Sequence, residues 1–170
     1  MDIRIGREEE DRLLKVLDER TDTESARMKR YLSMPDLSRT PGSPLSEIVK
    51  RVKAIPTLKN FDDINIPEVV PASVSFNLFD FAPDHPARSK SDTYYVDDSN
   101  ILRTHDTVFW YYYLNHPEIK ERIARKEALG ALCYGKVFRK DEIDSRHMNV
   151  FHQLGGWYLT PQSTPLGPDD

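Results

Sequence analysis

Two β-favouring segments, 131–140 and 150–159, are separated by only the nine residues 141–149, and this short connection constrains the fold more than any other feature of the chain. It is short enough for an antiparallel hairpin. Side chains alternate along a strand, so Val137, Arg139 and Asp141 share a face of the first segment, and Phe151, Gln153 and Gly155 share a face of the second. In a matching register Arg139 lies on the same face as Phe151 and Gln153, and a slip of one residue puts them on opposite faces. The connection is dense in charge, with Asp141, Glu142, Asp144, Arg146 and His147 following Arg139. A guanidinium binds phosphate in bidentate fashion, an aromatic ring stacks on a purine, and a carboxylate accepts from an exocyclic amino group, so these residue types suit a nucleotide. The plainer alternative is a charged loop joining two half-buried strands.

The rest of the chain divides by composition. Residues 7–32 favour helix, with Leu13, Leu14, Val16 and Leu17 as a narrow apolar stripe and 21–23 as a break between two helices. This reads either as a solvated helical arm or as an arm that contacts tRNA. Turn residues fill 34–43, after which Ser43 can cap a helix that has Pro44 in its first turn and Leu45, Ile48, Val49 and Val52 at helical spacing. The stretch 64–81 reads as extended, interrupted by Pro67 and Pro71. Strands are expected at 93–96 and 100–104 around the turn 97–99, then helices from Asp106 or Thr107 to Asn115 and from Pro117 to about 126. The aromatic run Phe109 to Tyr113 covers every side of a helix, which favours packing over a platform for RNA bases. The pattern predicts an α+β fold with an antiparallel sheet flanked by helices. The expected organisation is a helical arm and linker over 1–42, the main domain over 43–159, and a disordered, proline-rich tail over 160–170.

Composition excludes several classes of function. A net charge of −4 gives no general electrostatic case for nucleic acid. Cys133 is alone, and the histidines at 85, 105, 116, 147 and 152 have no metal-ligand spacing, so no dedicated metal site is expected. No apolar stretch approaches the ~20 residues a membrane span needs, and the expected compartment is the cytoplasm.

Residues 135–154, GKVFRKDEIDSRHMNVFHQL, resemble the second signature motif of class II aminoacyl-tRNA synthetases, and more closely that of the phenylalanyl-tRNA synthetase α subunit. DHPARSKSDTYYV (84–96) and ILRTHDT (101–107) look like two further segments of that family. IPEVVPASVSFNLFDFAPDHPAR (66–88) is similar in spacing to its first motif, so Pro67 falls at the family's interface proline.

The resemblance implies ATP-dependent ligation of phenylalanine to tRNA through an aminoacyl-adenylate, with Mg²⁺ arriving on ATP and with tRNA and a synthetase β subunit as partners. By similarity, Arg139 would hold the α-phosphate, Phe151 would stack on adenine, His147 would meet the outer phosphates, and Asp141 or Glu142 would meet the adenine side. His105, Thr107 and Gln153 would line the amino-acid pocket, with Tyr95 near it. The sequence departs from the family in two places. Gly155 stands where the family has a Glu that helps hold the substrate ammonium, and no glycine-rich third motif follows. The chain thus resembles the N-terminal part of a class II catalytic core. The alternative is a non-catalytic nucleotide-, RNA- or partner-binding remnant of that fold.

Overall fold

The chain begins with a short strand, β1 (Asp2–Arg4), followed by two helices, α1 (Arg7–Glu19) and α2 (Thr23–Ser33). The structure, a computed structural model, describes residues 1–141 and 143–161; Glu142 and residues 162–170 of the expected tail lie outside the described residues. Asp22 caps α2 by accepting from the Ser25 backbone N–H at 2.9 Å, satisfying one of the donors that a helix start leaves open. The apolar stripe of these helices is largely packed rather than solvated, with Val16 left exposed. Leu13, Leu17, Met28 and Tyr31 are buried in one cluster with Val69, Tyr94, Leu102 and Phe138.

Helix α3 (Pro44–Lys53) starts as the sequence predicts, with Pro44 in the first turn and the Ser43 side chain accepting from Leu45 N–H at 3.2 Å. Strands β2 (Asp62–Asn65) and β3 (Val69–Pro71) follow. The expected extension to residue 81 is wrong. Pro71 ends β3, helix α4 (Ala72–Phe76) begins at once, and a 3₁₀ turn covers Asn77–Phe79. This geometry buries both Val74 and Phe76, each in a different cluster, while Leu78 stays exposed. Strand β4 (Asn100–Leu102) pairs antiparallel with β3, and Tyr95 bridges to Ile101 across the turn at Asp97. A 3₁₀ turn (Asp106–Val108) leads into α5 (Phe109–Asn115), then α6 (Pro117–Ala124). Phe109 and Tyr113 are fully buried and Tyr111 is exposed, so the aromatic run largely packs.

Strands β5 (Leu129–Phe138) and β6 (Val150–Leu159) form the predicted antiparallel hairpin. They complete a sheet of order β1-β2-β5-β6. The α+β class and the flanking helices stand, but the sheet is mixed: β1–β2 and β2–β5 pair in parallel. Both parallel pairs are joined by long, helix-bearing crossovers, 5–61 and 66–128, as parallel pairing requires. On one face of β5, Ala131 and Cys133 pack with Val108, Phe109 and Tyr113. On the other, Phe138 joins the cluster of α1 and α2.

Behind the hairpin lies Arg103, 2% exposed. Its Nη2 and Nε donate to the Lys136 carbonyl at 2.6 and 3.1 Å, and Nη1 donates to that of Ile66 at 3.3 Å. Gly135 makes room for it: φ there is +154°, and a Cβ would stand 2.7 Å from Arg103 Nη2.

Candidate functional site

The hairpin register opposes Gly135 to Gln153 and Val137 to Phe151. One step further, Arg139 N–H donates to the Asn149 carbonyl at 3.0 Å. Arg139, Phe151 and Gln153 therefore share a face, and the Arg139 guanidinium carbon lies 5.7 Å from the Phe151 ring centroid. Alternation sends His152 to the opposite face, where Nε2 accepts from Leu37 N–H at 3.0 Å. The run Phe151-His152-Gln153 is thus two face residues around one structural histidine.

Beside this face opens a cleft of about 370 Å³, whose lining includes Phe81, His85, Thr104, His105, Arg139 and Asp141. Arg139 and Asp141 are both substantially exposed, with Arg139 Nε 3.8 Å from Asp141 Oδ2. The Phe81 and His85 rings stack at 4.3 Å between centroids. His105 is set by its partners. Nε2 lies 3.3 Å from the Ser75 carbonyl, which can only accept, so this nitrogen carries the proton and Nδ1 accepts from the Thr107 hydroxyl. Burial holds the His105 pKa below its usual value, opposed by the Ser75 bond and the nearby Asp106 charge.

Gln153 Oε1 accepts from the Asp106 backbone N–H at 2.8 Å, tying β6 to the turn that carries His105 and Thr107. The Asp106 side chain lies over Gly155: a Cβ at position 155 would stand 2.2 Å from Asp106 Oδ2. Burial raises the Asp106 pKa, against the pull of the Arg103 charge.

The structure thus brings Arg139, Phe151, Gln153, Asp141, His105 and Thr107 around one cleft and face. Other expected residues lie elsewhere. His147 Nδ1 is 2.9 Å from Asp144 Oδ1 in the exposed loop, outside the cleft lining. Tyr95 donates to the Arg88 carbonyl at 2.8 Å and faces a separate surface cavity with Arg20 and Lys90. Pro67 is buried in this chain, against Gly6, where a Cβ would meet its ring at 2.5 Å. Glu142 lies outside the described residues.

Sequence reasoning missed Phe81 and His85 in the cleft lining and the seat of Asp106 over Gly155. A signal for Asp106 was present: a glycine inside a strand marks the close approach of another group, and Gly155 has one.

Comparison with known proteins gives a consistent picture. A family model described as tRNA synthetases class II core domain (F) matches residues 31–164. The phenylalanine–tRNA ligase alpha subunit of Pelodictyon phaeoclathratiforme is 32% identical over 146 residues, which cover 82% of this chain and 40% of that protein. The same subunit from Leptospira biflexa is 32% identical over 123 residues, 72% of this chain and 34% of that protein. The chain therefore spans well under half the length of these relatives. A crystal structure of pyrrolysyl-tRNA synthetase from Desulfitobacterium hafniense superposes with a TM-score of 0.52 at 18% identity, over 89% of this chain and 59% of that one, which is a likeness of fold.

Proposed function

The chain belongs to the class II tRNA synthetase core-domain family, and from that premise we propose that it forms the adenylate-binding part of a phenylalanine–tRNA ligase α subunit. The reaction is activation of phenylalanine by ATP, followed by transfer to tRNA. The observation that carries this reading is the common face of Arg139 and Phe151 at the rim of an open cleft.

In this reading adenine stacks on Phe151, and Arg139 donates to the α-phosphate. His105, Thr107 and Gln153 form the polar wall that receives the amino acid. A carboxylate oxygen of phenylalanine attacks the α-phosphorus in line. The bond from phosphorus to the bridging oxygen breaks, and pyrophosphate leaves with the electron pair. No side chain need become a nucleophile or a general base, because the attacking group is already an anion. Positioning and neutralisation of phosphate charge supply the acceleration. Mg²⁺ would come with the nucleotide phosphates and neutralise them. Asp92 and Asp141, both in the cleft lining, are oxygen donors of the type it takes. Transfer of the aminoacyl group to tRNA and pairing with a β subunit belong to the same reading.

The test is calorimetric titration of the chain with ATP and with L-phenylalanine, followed by pyrophosphate exchange with both present. Saturable ATP binding is expected, and exchange would identify the chain as catalytic on its own. ATP binding without exchange would favour a nucleotide-binding remnant of the same fold. No ATP binding at all would overturn the assignment of the cleft.

A further inference from the structure

Where the charged loop enters β6 stands Asn149, which is 4% exposed. Its Nδ2 donates to two carbonyls across the loop, that of Arg139 at 2.9 Å and that of Asp141 at 2.8 Å. Its own backbone carbonyl accepts from the Arg139 N–H at 3.0 Å. One residue thus fixes the backbone on both sides of Lys140. The two carbonyls can only accept, so they require the amide nitrogen on their side and leave the oxygen free for another partner. That partner is Tyr31 of α2, buried at 3% exposure, whose hydroxyl donates to Asn149 Oδ1 at 2.9 Å. An Asn that only shaped a turn would bond its near neighbours, whereas this one reaches across the loop and across the fold.

The backbone matters here because little else holds Arg139. Its side chain is substantially exposed, and its ionic partner Asp141, at 3.8 Å, is held by the same Asn149 amide. Both residues line the cleft, so one buried amide sets the two in relation to each other. Helix α2 braces the loop at a second point, where Lys140 Nζ donates to Glu24 at 2.7 Å. Neither Tyr31 nor Glu24 lines the cleft. Phe151, by contrast, is held by its own pairing with Val137 in the hairpin ladder.

We propose that Asn149 is a positioning residue: its side-chain amide, oriented by Tyr31 of α2, holds the backbone at Arg139 and Asp141 so that the Arg139 guanidinium meets the nucleotide phosphates. That role rests on the nucleotide reading above and adds to it the residues that set the pose of the phosphate ligand. Binding groups work only when supporting hydrogen bonds hold them to within ~0.5 Å. An Asn149 that served the fold alone would not distinguish ligands that differ only in their phosphates.

The test is calorimetric titration of ATP and of adenosine into the wild-type chain, Asn149→Ala, Arg139→Ala and the double variant, with circular dichroism as the check on folding. Asn149→Ala is expected to weaken ATP binding by about fivefold to tenfold and to leave adenosine binding unchanged, because only the phosphate contact depends on Arg139. In the Arg139→Ala background the same substitution should have no further effect on ATP, since the group through which it acts is gone. Tyr31→Phe keeps the ring and removes only the hydroxyl, and should reproduce part of the ATP-specific loss. A wild-type ratio of ATP to adenosine affinity in folded Asn149→Ala overturns the assignment, and so does a loss of equal size with and without Arg139. Should Asn149→Ala fail to fold, Tyr31→Phe carries the same two comparisons to the same conclusions. A wild-type chain that binds no ATP brings down the nucleotide reading itself.

Discussion

The guanidinium carbon of Arg139 lies 5.7 Å from the ring centroid of Phe151, on the open face of the β5–β6 hairpin. That separation is too small for a base to enter between them, because two van der Waals contacts of ~3.5 Å each require about 7 Å. For adenine to stack on Phe151, the guanidinium must swing off the ring. Arg139 is substantially exposed and free to do so, and the motion carries its charge toward the phosphates.

Arg139→Ala should therefore weaken ATP binding by about ten- to a hundredfold while leaving adenosine binding close to unchanged, because only the phosphate contact is lost. Phe151→Ala should weaken both ligands, since stacking of a base on an aromatic ring contributes about 1–3 kcal/mol. Calorimetry with the two ligands separates these roles. An Arg139→Ala chain with wild-type ATP affinity would remove Arg139 from the site.

The shared face was legible in the sequence because two long strands with a short connection leave few registers open, and the alternation of Val137, Arg139, Phe151 and Gln153 then does the rest. The Ser43-Pro44 start of α3 was legible for a similar reason: capping is local chemistry. Residues 72–79 were not. Val74, Phe76 and Phe79 favour strand intrinsically, but packing after Pro71 makes the segment helical, and tertiary burial overrides so weak a preference. The parallel pairings of β1 and β2 were hidden because they join segments far apart in the chain. In the site, His147 and Tyr95 were assigned by resemblance, but here Asp144 and the Arg88 carbonyl engage them. Gly155 signals that some group approaches β6 closely, but that the group is Asp106 follows only from the turn folding over the strand.

Two histidines give the fold an acid limit. Burial holds the pKa of His105 below its usual value, and burial does the same for His152, where Asp36 opposes the shift. A group whose folded-state pKa is depressed contributes stability that is present above its unfolded pKa, near 6.5, and lost as pH falls through the folded value. Urea midpoints should therefore decline as pH falls below about 6.5. His105→Asn and His152→Asn should each flatten part of that decline. Unaltered pH dependence in both variants would locate the titration elsewhere.

Gly135 and Gly130 both lack room for a side chain, but for reasons that predict different costs. At Gly130 a Cβ would stand 2.4 Å from the Phe61 ring, which is only half-buried, stacks on Tyr158 and can shift outward. At Gly135 the obstacle is Arg103, buried and held by two carbonyls, and φ is +154°. Gly135→Ala should cost roughly 1–3 kcal/mol, the scale of a strained backbone position, and more than Gly130→Ala. Chemical denaturation of the two variants measures the order, and the reverse order would mean that Arg103 yields more readily than Phe61.

Lys136 lies on β5 next to Val137 but points away from the cleft, where its side chain is 3% exposed. Its ammonium donates to the carbonyls of Tyr31, Leu32 and Met34 at 3.3, 2.8 and 2.7 Å, closing the C-terminal end of α2, where a cation is also favoured by the helix dipole. It also pairs with Glu68 at 3.1 Å, whose pKa burial raises while the charge of Lys136 pulls it back. Lys136→Met keeps the length of the stem but strands these carbonyls and the carboxylate together, and should cost about 3–5 kcal/mol. Adding Glu68→Gln removes the unpaired charge but not the unpaired carbonyls, so the double variant should recover only part of that loss. A double variant as stable as the wild type would place the whole cost on the charge, and one no better than Lys136→Met would place it on the end of α2. Because α2 then loses its tie to the strand that carries Arg139, ATP affinity should fall in Lys136→Met even at temperatures where the chain remains folded.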